Sequence, residues 1–164
     1  MSNYMKSVAP TGKHGFIQGY FRPTNQRKLL KPTEAIIYRS SYELQFCRIC
    51  DTNPVIKFWQ SEPIQIQYYD PVKCVNRAYY PDYIIVTESQ GKVNKTIIEV
   101  KPLTFITKPE YPKKVTAQTL KGYNFRLRIF VTNMAKMKAA KTYAEARGMT
   151  YSFLTDAFFN KFKI

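Results

Sequence analysis

Two short runs constrain this chain more than anything else in it: Pro81-Asp82-Tyr83-Ile84-Ile85-Val86 and Thr96-Ile97-Ile98-Glu99-Val100-Lys101. Both are rich in β-branched and aromatic residues, and a polar, glycine-containing segment separates them, so they read as a β-hairpin. With the turn centred on Gln90-Gly91, opposed residues have numbers summing to 181, which sets Asp82 against Glu99. Directly opposed side chains on one face of an antiparallel pair hold their Cβ atoms about 5 Å apart. The two-residue period of a strand then places Lys101 on the face that carries Glu99. Ile84, Val86 and Ile97 share that face, while Tyr83, Ile85, Ile98 and Val100 line the other. Strands apolar on both faces are covered on both faces. The expected architecture is therefore a central sheet with helices packed over it and the two acids at one end.

Opposing two carboxylates is unfavourable by about 3 kcal/mol at an effective dielectric near 20. A structural hairpin has no need of this, and places where local rules fail are often functional. A divalent cation between the acids reverses the sign. Hard oxygen ligands suit Mg²⁺, which takes one or two carboxylates, keeps waters and binds phosphates. The bland alternative is an edge hairpin with exposed charges, which leaves the two apolar faces of these strands without a purpose.

At Pro81, Asp82, Glu99 and Lys101 the sequence resembles the PD-(D/E)xK nuclease superfamily. The flanking residues narrow the likeness: Tyr38-Arg39-Ser40-Ser41-Tyr42-Glu43, then Phe46-Cys47, Cys50-Asp51-Thr52-Asn53-Pro54, then Trp59. Together these are similar to the head completion nucleases of tailed phages, and more distantly to the endonuclease subunit of transposases of the Tn7 type. The likeness spans residues 36–101, with a looser match in the C-terminal part and none over residues 1–33. It implies a restriction-endonuclease-like α/β core with a mixed central sheet flanked by helices. It implies Mg²⁺, with Mn²⁺ able to substitute, held by Asp82, Glu99 and the main-chain carbonyl of Val100. Lys101 would orient or activate the attacking water. Glu43 would complete a second metal position or orient water. DNA is the implied substrate, phage head or neck proteins the implied partners, and the host cytoplasm or the virion the implied location.

The 164 residues suit one domain with a substantial core. A net charge of +15 calls for a polyanionic partner, and nucleic acid fits best because the basic residues run through the whole chain. No run of 18 or more apolar residues is present, so no membrane span is expected. Three cysteines without a signal-peptide pattern point to reduced thiols in a cytoplasm. Cys47-x-x-Cys50 lacks the further cysteines and histidines that a zinc site needs. Its spacing puts both thiols on one helix face, so core packing is the reading.

In chain order, residues 1–34 form a basic, Gly- and Pro-rich arm, either laid on a partner or solvated, and residues 35–164 form the nuclease-like domain. A helix from Ser40 to about Asp51 opens with a Ser40/Glu43 capping box, so Glu43 has a structural explanation beside the site role. Strands are expected over Val55–Gln60 and Ile64–Tyr69, with Asp70–Asn76 a loop and Arg77–Tyr80 leading into the motif strand. Pro102 and Pro109 open a basic loop. A short helix over Val115–Lys121 precedes one long helix over 124–147, stopped by Gly148. Tyr151–Leu154 is a strand, and Asp156 caps a terminal helix. Arg39, Lys108, Lys113, Lys114, Arg126 and Arg128 are the candidate grips on the DNA backbone, with Lys136, Lys138 and Lys141 facing away from the core. Three functions stay open: a head completion nuclease, another PD-(D/E)xK enzyme such as a transposon-end endonuclease or junction resolvase, and a non-catalytic DNA-binding or capsid-joining protein on the same scaffold.

Overall fold

The computed structural model describes residues 18–161, and the first half of the basic arm lies outside the described residues. The hairpin forms the centre of a four-stranded sheet. Strand β6 (Tyr83–Ser89) pairs antiparallel with β7 (Lys92–Val100), and Ser89 faces Lys92 across Gln90-Gly91. Both turn residues have positive φ (51° and 75°), as a two-residue hairpin turn matched to strand twist requires. The register is the expected one, with Tyr83 opposite Ile98 and Ile84 opposite Ile97.

On one side of the hairpin, β3 (Ile56–Ser61) pairs antiparallel with β6; on the other, β8 (Thr150–Leu154) pairs parallel with β7. The sheet order is β3-β6-β7-β8, and the parallel pair makes it mixed. Parallel neighbours need a long crossover. Here it is α2 (Leu103–Ile106) followed by α3 (Ala117–Glu145).

Each face of the sheet has its own core. Over one face, α1 (Ser41–Thr52) and α4 (Asp156–Asn160) bury Phe46, Cys47, Cys50 and Phe159 against Trp59, Tyr83, Ile98 and Val100. Both thiols are fully buried, and burial pushes the Cys47 thiol up to about 12, so the pair packs as apolar residues. Over the other face, Ala140 and Ala144 of α3 pack on Ile84 and Ile97, next to a second hairpin made of β4 (Ile66–Asp70) and β5 (Val75–Tyr79).

Several local expectations are corrected. The separate helix expected over Val115–Lys121 is continuous with α3, which passes straight through Gly122. A single glycine costs a helix only about 1 kcal/mol, and a reciprocal Thr116/Thr119 capping box starts the helix upstream of it. Residues 77–79 do not simply lead into the motif strand but complete β5, and the loop expected at Asp70–Asn76 shrinks to a turn over residues 71–74. The Asp70 carboxylate makes it, accepting the N–H groups of Val72 (3.0 Å) and Lys73 (3.3 Å). Asp156 is the first residue of α4 rather than its cap, and its carboxylate accepts the Leu103 N–H at 2.7 Å.

Residues 18–34 of the arm are built onto the domain. Here β1 (Gly19–Phe21) pairs with β2 (Ile36–Tyr38), and Leu29 is buried beside Trp59. The anchor is Asp51, 2% exposed, whose carboxylate accepts the N–H groups of Thr24 (2.9 Å) and Asn25 (3.0 Å). The Lys28 ammonium bonds the Asp51 and Asn53 carbonyls at the C-terminus of α1, where a cation is favoured.

Substituting Asp51 tests this anchor. Asp51→Ala is expected to lower the unfolding free energy by about 2–3 kcal/mol, since it leaves two main-chain donors without their charged acceptor. Urea titration reads that loss, and trypsin should then cut faster at Arg27 and Lys28. Unchanged stability and unchanged proteolysis would mean the arm is held elsewhere.

Candidate active site

The Gln90-Gly91 turn fixes the register, and the register brings Asp82, Glu99 and Lys101 together at one end of the sheet. The Asp82 Oδ2 accepts the Val100 N–H at 2.7 Å and lies 3.5 Å from the Lys101 ammonium. That ammonium is 2.7 Å from Glu99 Oε1 and 3.2 Å from the Val100 carbonyl oxygen. Three oxygen donors thus converge on a single cationic position, and Lys101 fills it. The repulsion expected between opposed acids is relieved by the chain's own ammonium. The same oxygens are a hard donor set of two carboxylates and one carbonyl, the kind that suits a divalent cation. Lys101 Nζ stands in for such an ion, so the residues present fit one.

The charges respond to this crowding. Burial, and then the neighbouring Glu99, raise the Asp82 carboxyl to about 7, against the opposing pull of Lys101 and the Val100 N–H. Burial alone would lower the Lys101 ammonium, but the Asp82 and Glu99 carboxylates hold it above its ordinary range.

Glu43 stands apart from the two acids. Among the described residues no three His, Cys, Asp or Glu side chains gather as a metal cluster. The Ser40 hydroxyl caps α1 by accepting the Glu43 N–H at 3.1 Å. In the reciprocal half, Glu43 Oε2 accepts the N–H of Arg39 at 2.8 Å, one residue before the donor that a capping box uses. The Glu43 side chain also lines a cavity of about 300 Å³ with Val100, Lys101, Pro102, Phe105 and Asn133. The cap and the site wall are therefore one place.

Two residues near the acids escape a sequence-based reading. Tyr79, from β5, donates its hydroxyl to Glu99 Oε2 and fixes the carboxylate whose other oxygen meets Lys101. Burial, then the Glu99 charge, push the Tyr79 phenol well up, so it remains a donor. Lys136, expected to face away from the core, is half-buried, with its ammonium 5.3 Å from the Tyr79 ring centroid and 5.7 Å from that of Tyr68. Burial lowers its pKa, with Glu99 and Asp82 opposing. Its sequence signal is the i, i+4 row that continues into the small, buried Ala140 and Ala144.

The proposed backbone grips are differently placed. Lys108, Lys113, Lys114, Arg126 and Arg128 are exposed, on the α2–α3 segment. Arg39 is exposed too, but its guanidinium is paired with Glu62 at 2.7 Å.

Two measurements check this geometry. The folded state holds the Asp82 proton to about 7, whereas an unfolded aspartate releases it near 3.9. The folded state therefore binds more protons between these values. Its stability in EDTA should contain a contribution that is full below about pH 4 and lost as pH rises through about 7. Asp82→Asn should flatten that part of the profile; a profile parallel to wild type over this window would contradict it. Separately, Tyr79→Phe strips a buried carboxylate oxygen of its donor and should lower the unfolding free energy by about 1–3 kcal/mol. Unchanged stability on urea titration would show that the Tyr79–Glu99 bond is dispensable.

Comparison with known proteins identifies the family of this chain. Residues 53–156 match the family model described as TnsA-like endonuclease N terminal. The chain is 32% identical over 138 residues to the head completion nuclease of Enterobacteria phage T4, covering 84% of this chain and 90% of that protein. No solved structure matches. With more than half its length on the family model and a relative matched over most of both chains, this chain belongs to the TnsA-like endonuclease family, of restriction-endonuclease-like fold, and is kin to the phage head completion nuclease.

Proposed function

We propose that this protein is a metal-dependent DNA phosphodiesterase of phage head completion, processing the ends of packaged DNA before head and tail join. The observation that carries the reaction is the convergence of Asp82 Oδ2, Glu99 Oε1 and the Val100 carbonyl on one cationic position. The biological setting rests on the extent of the match to the phage nuclease, which runs through 90% of that protein. A transposon-end endonuclease and a non-catalytic scaffold remain the rival readings. The intact set of two acids and a lysine weighs against the scaffold, because a purely structural descendant has no need of all three.

In this reading Asp82, Glu99 and the Val100 carbonyl hold Mg²⁺, with Mn²⁺ able to replace it. When bound, the ion supplies a Lewis acid for the phosphoryl oxygen and lowers the pKa of water. Tyr79 keeps the Glu99 carboxylate in place for this. The Lys101 ammonium, released from between the acids, faces the cavity and offsets negative charge developing on the phosphoryl group. Glu43, on the wall of that cavity, positions the attacking water or receives its proton. Exposed Lys108, Lys113, Lys114, Arg126 and Arg128 hold the backbone without reading sequence. The protein acts on DNA in the host cytoplasm or at the assembling head, where head or neck proteins are its partners.

Metal-dependent cleavage of plasmid and single-stranded DNA tests the reading. Asp82→Ala and Glu99→Ala should abolish cutting while DNA binding in EDTA persists. Glu43→Gln keeps the helix cap, since glutamine accepts the same Arg39 N–H, yet it should slow cutting at least tenfold, or about 1.4 kcal/mol in the barrier. Wild-type rates in both alanine variants would remove the site assignment. A wild-type rate in Glu43→Gln across a Mg²⁺ titration would reduce Glu43 to a helix cap.

A further inference from the structure

Between Glu110 and Glu145 the chain carries eight Lys and Arg residues and no acid. This stretch includes all of α3 up to its last residue. In its midst Phe125 is 63% exposed, the most exposed of the large apolar side chains among the described residues. An exposed helix position favours a charged or small residue, and a phenylalanine ring there contributes nothing to the core. Nor is the ring isolated. Phe125, Arg128, Ile129, Thr132 and Asn133 line a cavity of about 290 Å³. Ile129 and Asn133 also line the cavity that holds Glu43 and Lys101, so the two adjoin along one face of α3. The Asn133 amide donates to the Phe105 carbonyl at 3.0 Å and ties α2 to this face.

The partner must be polyanionic to suit the cations and must present a flat apolar face to suit the ring. Duplex DNA meets the first demand only, because its bases are stacked on one another and its accessible surface is phosphate, sugar and base edges. A single strand meets both, since every unpaired base has a free π-face. We propose that the face of α3 from Phe125 to Asn133, adjoining the cavity that Lys101 lines, is a subsite for single-stranded DNA, in which an unpaired base stacks on Phe125 and a neighbouring phosphate meets Arg128. Eight helical residues separate Phe125 from Asn133, or about 12 Å of rise. At about 3.4 Å per stacked nucleotide, that distance places the stacked base roughly three nucleotides from the Asn133 edge of the cavity that Glu43 and Lys101 line. The subsite rests on the nuclease reading for its place in the reaction and names the substrate class as DNA with an unpaired strand at or near an end.

Binding in EDTA tests the subsite independently of cleavage. Fluorescence anisotropy at one salt concentration compares a mixed-sequence single strand with the blunt duplex of the same sequence. Phe125→Ala and Phe125→Leu are expected to weaken single-strand affinity about fivefold or more, the low end of a lost base–aromatic stack, and to leave duplex affinity within about twofold. Phe125→Trp should keep or raise single-strand affinity. Wild-type single-strand affinity in the Ala and Leu variants, or equal losses on both DNAs, would overturn the subsite. Cleavage by the wild-type protein with Mg²⁺ is a separate arm. If no DNA is cut but the ring dependence holds, the nuclease reading fails and the binding subsite stands. If DNA is cut but the ring dependence is absent, the subsite alone falls.

Discussion

The Lys101 ammonium between Asp82 and Glu99 is the contact on which the rest of the structure depends. Two carboxylates opposed across a hairpin repel by about 3 kcal/mol at an effective dielectric near 20, and Glu99 is only 4% exposed. An ammonium at 2.7 Å from one acid and 3.5 Å from the other sets an attraction to each against that repulsion. This cluster exists because of register. A slip of one residue between β6 and β7 would send every side chain of the slipped strand to the opposite face. It would separate the acids and bury Lys101 in an apolar core. The Gln90-Gly91 turn therefore sets a charge constellation at the far end of both strands.

The two faces of the sheet divide the work that follows. On the α1 side, Trp59, Tyr83 and Phe46 pack a conventional core, with ring centroids 5.0 to 6.2 Å apart. On the α3 side the core continues into polar contacts, from Ala140 and Ala144 through Lys136 over Tyr79 to the bond between Tyr79 and Glu99. A cation bound by the acids must compete with Lys101, so its affinity is the difference between two attractions. In the proposed reaction the displaced ammonium would face the cavity that Lys101 lines, where substrate charge would develop.

What could be read from the chain alone follows the range of the interactions involved. The motif hairpin, the start of α1 at Ser40 and the stop of α3 at Gly148 are decided within a few residues, by a positive-φ turn, a side-chain cap and a positive-φ glycine. The same holds for core packing of Cys47 and Cys50, whose spacing sets one helical face. The β4–β5 hairpin was illegible because its turn is made by the Asp70 side chain and not by an Asn-Gly or Gly-rich signal. Lys136 and Tyr79 were missed because their roles come from another element, thirty or more residues from either acid for Lys136 and across a hairpin for Tyr79. Short offsets have the same origin. The Glu43 carboxylate takes the Arg39 N–H instead of that of Ser40, and the Asp156 carboxylate takes the N–H of Leu103 instead of an N–H of its own helix. A tertiary neighbour supplies the donor in one case and a bend of the chain in the other.

The surface charge follows from the interior. Of the eleven Asp and Glu residues, seven are occupied within the protein: Glu43 at the start of α1, Asp51 on the arm, Glu62 with Arg39, Asp70 in its turn, Asp82 and Glu99 with Lys101, and Asp156 with Leu103. Few of the Lys and Arg residues among the described residues are matched by these acids, and most of them are exposed. The four acids that remain are Glu34, Glu88, Glu110 and Glu145, and none lies within α3 before its last residue. A polyanion approaching this protein therefore meets little like-charge repulsion until it reaches Asp82 and Glu99. There the two negative groups are already screened by Lys101. The net charge of +15 is thus arranged by withdrawal of the acids into structural bonds as much as by addition of bases.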